Sequence, residues 1–352
     1  MARARRLQVD GSMARISSER LARLIRSFAG CPIAVYGDLL ADEFVFGEIS
    51  RVSREAPVLI LQHRESHILP GGAANAVNNL QALGANPVPI GVLGRDRPGQ
   101  VLCEQFRAKR IRVSYIGRPG KYETPTKTRF LAGSAHSSRQ QVLRLDRESK
   151  FEYTTQTRYQ LWTKIRPLLQ ECRGVIISDY GYGFVNRELV AQIVKARNSL
   201  PITLDSRHGL LQYFGLTSST PNEPEVEEAL GVKIGNDLAK LEWAGKTLLK
   251  RQRLGALLIT RGRHGMALFM SGRPTVHIPI YGSDEIADVT GAGDTVIAVF
   301  TLALAVGATF PEAASLSNYA GGIVVMKRGT ATVTAAELQE AVSSDRSPIS
   351  TR

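Results

Sequence analysis

Apolar positions along the chain change period several times, and each change marks an element. Leu21, Leu24, Ile25 and Phe28 recur at helical spacing behind Ser17 or Ser18, either of which can cap the first turn, and Gly30 closes the helix. Ile33 to Tyr36 is a short apolar strand ending in Gly37-Asp38. From Phe44 to Gln62 the pattern turns to alternation, and a second alternating stretch covers Lys127 to Phe130 and Gln141 to Leu145. Both read as strands outside a parallel core, paired in an extended flap, with the small polar residues Gly133 to Arg139 as a loop between them. Elsewhere helix and strand alternate. Helices are expected over 73–83, 98–109, 155–170, 187–197, 223–230, 238–251, 292–306 and 311–327, with strands at 88–93, 175–178, 202–204, 257–260 and 266–269. That order predicts an α/β fold: a mostly parallel central sheet, helices on both faces, and a small β-strand lid.

With 352 residues the chain can bury a large core, and 43% hydrophobic with 22% charged residues is ordinary for a soluble globule. We divide it into a basic N-terminal extension and first helix over 1–29, one folded domain over 30–342 with lid segments near 44–62 and 124–146, and a polar tail over 343–352. The net charge of +13 invites a nucleic-acid reading, but seven arginines against two acidic residues place +5 of it in the first 30 positions. The rest is scattered, without the aromatic interleaving of single-strand binders, so anionic small ligands are expected rather than nucleic acid. Residues 1–12 lack the apolar stretch of a secretory signal, and no run approaches the length needed to cross a bilayer. Cys31, Cys103 and Cys172 are far apart and set in apolar contexts, as expected of reduced core residues in a cytoplasmic protein.

The candidate chemistry centres on Asp288-Val289-Thr290-Gly291-Ala292-Gly293-Asp294, directly before the apolar helix. Gly291 and Gly293 allow backbone angles closed to other residues, and amides at a helix start attract an anion. Asp294 then faces the same spot, as a base taking a proton from a hydroxyl that attacks a phosphoryl group would. Locally, an ordinary Asp N-cap after a glycine-rich turn would look the same. Pro70-Gly71-Gly72 opens a second helix in which Asn75, Asn78 and Asn79 are polar for a buried element; they either meet a ligand or face solvent. Asp38, at the carboxyl end of a strand, is a ligand candidate or a turn residue. A Gly-x-x-x-x-Gly-Lys-Ser/Thr loop and metal-spaced Cys/His clusters are both missing from the sequence, which disfavours a P-loop kinase.

Taken together, Pro70-Gly71-Gly72-Ala73-Ala74-Asn75 and Asp288 to Asp294 resemble the two signatures of the ribokinase-like (pfkB) carbohydrate kinases, in the same order and more than 200 residues apart. Further likeness, over residues 30 to 342, runs through 47–58, Gln140 to Asp146, Ser178-Asp179-Tyr180-Gly181, Thr220 to Glu225, Thr260-Arg261-Gly262 and 329–333, and points to the members that act on heptose 7-phosphate in ADP-heptose synthesis. The resemblance implies transfer of the ATP γ-phosphoryl group to the anomeric hydroxyl of D-glycero-β-D-manno-heptose 7-phosphate. It implies Asp294 as catalytic base, Gly291, Ala292 and Gly293 as anion hole, and Asp38, Gly71, Gly72 and Asn75 on sugar hydroxyls. Lys127, Arg129 and Arg144 are implied for the sugar phosphate. Asn222, Glu223, Pro224 and Glu225 would organise Mg2+ and the phosphates, with Glu225 nearest the metal, while Thr260, Arg261, Gly262 and Asn318 line the nucleotide. Asp288 and Thr290 would serve a monovalent cation such as K+. The lid is expected to close over the sugar and to build a homodimer.

Departures from that pattern bear on the acceptor. Ala41-Asp42-Glu43 stands where an Arg is usual, and Glu43 is expected to repel a phosphate. Tyr182 replaces a Lys, and Asp205-Ser206-Arg207-His208 replaces Asp-Pro-Lys-Gly. No His-x-Gly-His motif occurs, so nucleotidyl transfer is expected of another protein. A sugar kinase with a different acceptor, or a non-catalytic sugar or nucleotide binder, are the alternative readings.

Overall fold

A computed structural model describes residues 16–133, 140–197, 199–282, 288–327 and 329–345. The basic arm through residue 15, the lid insertion at 134–139 and the tail beyond 345 lie outside them.

Helix α1 (Ser18–Arg26), capped by the Ser17 hydroxyl, leads into β1 (Pro32–Gly37), whose residues are almost all buried. Two long strands follow, β2 (Leu39–Val52) and β3 (Leu59–Gly72), then α2 (Ala73–Ala82), β4 (Asn86–Val92), α3 (Arg97–Ala108) and the short β5 (Ile116–Gly117). Next come β6 (Thr126–Gly133), β7 (Gln140–Arg147), α4 (Thr155–Glu171), β8 (Gly174–Asp179), α5 (Arg187–Ala196), β9 (Ile202–Ser206) and β10 (Ser218–Ser219). The chain finishes with α6 (Glu223–Leu230), α7 (Leu238–Arg251), β11 (Ala256–Thr260), β12 (Met266–Met270), β13 (Val276–Ile278), α8 (Ala292–Ala305), α9 (Phe310–Val325) and α10 (Ala335–Ser344).

Among the described residues the central sheet has nine strands in the order β13-β12-β11-β10-β9-β8-β1-β4-β5, parallel from β11 to β5 and antiparallel at the β12 and β13 edge. Strand periodicity divides its side chains between two cores. Ile33, Val35, Ile176 and Leu258 join one core with α2, α8 and α9, while Ala34, Tyr36, Ile177 and Leu257 join the other with α4, α5 and α7. Helix α8 is apolar nearly all round because it is covered on every side, by the sheet, α2 and α9.

The lid is a separate sheet, β3-β2-β6-β7, in which β2 and β6 run parallel. Its strands reach further than alternation alone predicts. β2 starts at Leu39 and β3 continues through Gly71 and Gly72, so the glycine pair ends a strand rather than forming a loop. The inner ends of both strands are buried beside α2, and burial on both faces erases alternation. Sequence periodicity also passes over β5, β10, β13 and α10, the strands being too short to show a period.

Candidate active site

Asp294 lies in the first turn of α8, 3% exposed, behind Gly291 at φ 77°. Its carboxylate is held from two directions: Oδ1 accepts from the Tyr180 hydroxyl at 2.8 Å and Oδ2 from Asn75 Nδ2 at 2.9 Å. Asn75 is fixed in turn, because Asn79 Nδ2 donates to its backbone carbonyl and to Oδ1, and the Thr295 hydroxyl donates to Asn79 Oδ1. The asparagines of α2 are therefore neither solvated nor aimed at a ligand; Asn75 and Asn79 form a buried brace for the acid. A Cβ at Gly291 would collide with the Asn75 amide, which is why this turn needs glycine. Burial above all, and the charge of Asp205 next, push the Asp294 carboxyl up to about 7, against the lowering effect of its two hydrogen bonds.

Two cavities meet at this helix start. One, of about 240 Å³, is polar and lined by Asp42, Lys127, Arg129, Tyr180, Arg207 and Asp294, among others. The second, of about 530 Å³, has the apolar walls Met266, Ile280, Val296 and Val325 with Asn318 at its side, the composition of a site for a flat heterocycle. Asn222, Thr260, Val289 and Gly293 line both, so Gly293 sits at the junction. A Cβ at Gly293 would meet open space. The Ala292 N–H turns back to the Val289 carbonyl at 3.2 Å, which leaves the amides of Gly293 and Asp294, lacking intrahelical acceptors, as those of the first turn nearest the junction.

Most of the residues singled out from sequence converge here, and several have other duties. Asp38 is not among the cavity-lining residues. It is 1% exposed and accepts from the backbone N–H groups of Tyr180, Tyr182 and Phe184, which makes it the anchor of the loop after β8. Burial and the charge of Asp179 raise it to about 6. The carboxylate that does face the polar cavity is Asp42, ion-paired to Arg129 at 2.5 Å. Gly71 lies against Asp42, where a side chain would strike its Oδ2, and Gly72 lines the cavity. Glu43 points the other way, as successive strand residues must, and is paired with Arg147 and Thr128, so the expected repulsion of a phosphate does not arise. Arg144 is bound to Asp146 at 2.6 Å and stays outside the cavity lining. Lys127 is only 8% exposed and seated over the Tyr180 ring at 4.9 Å; burial first, then Arg207 and Arg144, depress its ammonium pKa. Thr260, Gly262, Glu223 and Pro224 line the apolar cavity, and so does Arg261, although its guanidinium is engaged by Glu223 and the Gly235 carbonyl.

A family profile described as pfkB family carbohydrate kinase matches residues 33–337. The chain belongs to the pfkB carbohydrate kinases. Carbohydrate kinases are phosphotransferases with a sugar hydroxyl as acceptor. Among curated relatives it is 39% identical over 315 residues to the bifunctional protein HldE of Desulfatibacillum aliphaticivorans, covering 89% of this chain and 63% of that protein. It is 39% identical over 307 residues to the HldE of Geobacter sulfurreducens, covering 86% and 61%. The chain thus spans less than two-thirds of the length of these relatives. Among solved structures, Arabidopsis thaliana ribokinase complexed with ribose and ATP superposes with a TM-score of 0.70 at 17% identity, covering 90% of this chain and all of that one. Escherichia coli phosphofructokinase-2 in complex with potassium gives 0.67 at 14%, covering 89% and 98%. At such identities these two speak to the fold alone, which is ribokinase-like.

A divalent metal beside phosphates would need hard oxygen donors, and the donor set here suits one. Asn222 and Glu225 cap α6 reciprocally, each accepting the other's N–H at 2.9 Å, so Glu225 Oε2 is tied to the backbone at the cavity wall. Asp205, which sequence reading noted only as a departure, lines the same wall. Burial raises both carboxyls, and the charge of Glu225 raises Asp205 further. The Thr220 hydroxyl beside them is 4% exposed, with its oxygen unpaired among the described residues. Two desolvated carboxyls and an orphaned hydroxyl oxygen are the hard-oxygen environment that Mg2+ takes through few direct ligands and retained waters. Asp288, by contrast, uses its oxygens on the N–H groups of Thr290 and Gly329, bracing the loop, while Thr290 itself reaches the polar cavity.

Proposed function

We propose that this chain transfers the γ-phosphoryl group of ATP to the anomeric hydroxyl of D-glycero-β-D-manno-heptose 7-phosphate, forming the 1,7-bisphosphate for ADP-heptose synthesis, with Asp294 as general base. The observation that carries the reading is the buried Asp294 carboxyl, raised to about 7, standing where a polar cavity rimmed by Lys127, Arg129 and Arg207 meets an apolar one of nucleotide size. In the reaction the acceptor oxygen bonds to the γ-phosphorus as the bond to the β-phosphate oxygen breaks. The hydroxyl proton passes to Asp294, and ADP leaves. The first-turn amides of α8 receive charge from the transferring group. Asp42 and Gly72 are placed to meet sugar hydroxyls. A distal phosphate beside Lys127 would offset the burial, and after it the neighbouring Arg207 and Arg144 charges, that depress its ammonium pKa. Glu225, with Asp205 and Thr220 nearby, would hold Mg2+, which would supply charge neutralisation to the phosphates. A monovalent cation such as K+ is assigned to the Asp288–Thr290 loop.

The outer lid supports a homodimer: Ile49, Val52, Leu59, Val142, Leu143 and Leu145 are exposed apolar side chains on one small sheet. We place the protein in the cytoplasm. Scoring ADP release over a panel of heptose 7-phosphate, hexose phosphates, free hexoses, ribose and nucleosides tests the acceptor. Preference for an unphosphorylated sugar would overturn it.

A further inference from the structure

We propose that Tyr180 is a positioning residue for phosphoryl transfer: its hydroxyl aims the Asp294 carboxylate, and its ring links that aim to the lid through Lys127. The proposal deepens the reading of Asp294 as base and rests on it.

The loop carrying Tyr180 is held along its length. Asp38 grips the N–H groups of residues 180, 182 and 184 at 2.8 to 3.2 Å, and Gly181 N–H donates to Asp179 Oδ1, whose other oxygen accepts from the Ser206 and Tyr213 hydroxyls. From this base the Tyr180 side chain reaches across to α8 and donates to Asp294 Oδ1 at 2.8 Å. The ring is clamped on the way. Gly72 lies close enough that an added Cβ would come within 3.1 Å of it, and the Lys127 ammonium, on lid strand β6, sits 4.9 Å from its centroid. A cation over an aromatic face is attractive, more so when partly desolvated, so a lid position that seats Lys127 also seats the ring.

With Asn75 on Oδ2 and Tyr180 on Oδ1, the carboxylate is held from both sides where Asp294 lines the polar cavity. The phenol is buried next to an acid, which holds its pKa well above the usual value, so it remains a donor throughout the working range. The other charges around Asp294 are Asp205 and Asp42, which oppose its ionisation, and Lys127 behind the ring. Loss of the Tyr180 hydroxyl would leave the two acids less opposed.

The test compares the parent with Tyr180→Phe, Tyr180→Leu and Asp294→Asn, using ATP and heptose 7-phosphate or whichever sugar wins the panel, over pH 5.5 to 9. In Tyr180→Phe, which keeps the ring, kcat should fall about tenfold at pH 7 with both KM values within about twofold. Its acid limb should move upward by about one pH unit, and the deficit should shrink toward pH 9. Tyr180→Leu, which also loses the seat of Lys127, should in addition raise KM for the sugar phosphate. The proposal is overturned if Tyr180→Phe leaves the acid limb in place, or lowers kcat equally at every pH together with thermal stability. If Asp294→Asn is inactive while the limb of Tyr180→Phe does not move, the Tyr180 proposal falls alone. Full turnover in Asp294→Asn would remove the base assignment and this inference with it.

Discussion

Replacing Asp294 with Asn should remove turnover and, at alkaline pH, make the fold more stable. The carboxyl is raised from 3.8 to about 7, by burial first and by the charge of Asp205 second. Because its folded pKa exceeds the unfolded one, the native state binds more protons between those values. The associated stability is therefore complete below the unfolded pKa and is lost as pH climbs through the folded pKa. Raising the carboxyl this far corresponds to about 4 kcal/mol once pH exceeds 7, of which roughly a third is already forfeited at pH 5. The Asn carbonyl can accept from Asn75 while its amide N–H meets the Tyr180 oxygen, whose own O–H must then turn to another acceptor; this cost does not change between the two pH values. The advantage of Asp294→Asn over the parent should accordingly be larger at pH 8 than at pH 5 by about 2–3 kcal/mol. Urea unfolding of ligand-free parent and variant at the two pH values measures this difference, whatever constant offset the substitution adds. ADP release should fall by about 10²–10⁴, the usual contribution of a general base. An advantage that is equal at both pH values, or missing at pH 8, would refute the argument that burial of an ionisable base destabilises this fold.

Three other outcomes follow from particular contacts. Gly72→Ala places a methyl group within 2.8 Å of Leu40 and 3.1 Å of the Tyr180 ring at φ 55°, so it should cost about 1–3 kcal/mol in thermal or denaturant unfolding and lower kcat alongside. Glu225→Gln should raise the Mg2+ concentration needed for half-maximal turnover by about tenfold while leaving unfolding in metal-free buffer at least as resistant, because a buried carboxyl is removed. Leu143→Asp with Leu145→Asp, both on the exposed lid face, should convert the proposed dimer to a monomer in analytical ultracentrifugation; an unchanged mass would place the interface elsewhere.

Periodicity along the chain determined a great deal by itself. Buried parallel strands and helices of ordinary length print their period locally, so the doubly covered sheet, the separate lid and the Gly-Ala-Gly-Asp helix start were legible from residues alone. The start of α8 was readable because a glycine turn followed by an acid and an apolar run has a local physical meaning. What tertiary structure decided was the direction in which side chains point once distant segments meet. Asp38, the ligand candidate in sequence, and Asp42, which sequence did not single out as one, are four residues apart, yet the loop after β8 claims the first with three N–H groups while the lid sheet turns the second, with Arg129, into the cavity. Arg144, equally basic in sequence, is taken by Asp146. Asn75 and Tyr180 reach Asp294 across 219 and 114 residues of chain, and Asp205 perturbs it from yet another strand. Hydrogen bonds and desolvation act over a few ångströms of space, and sequence separation carries no information about them until the sheet has brought its strand ends together.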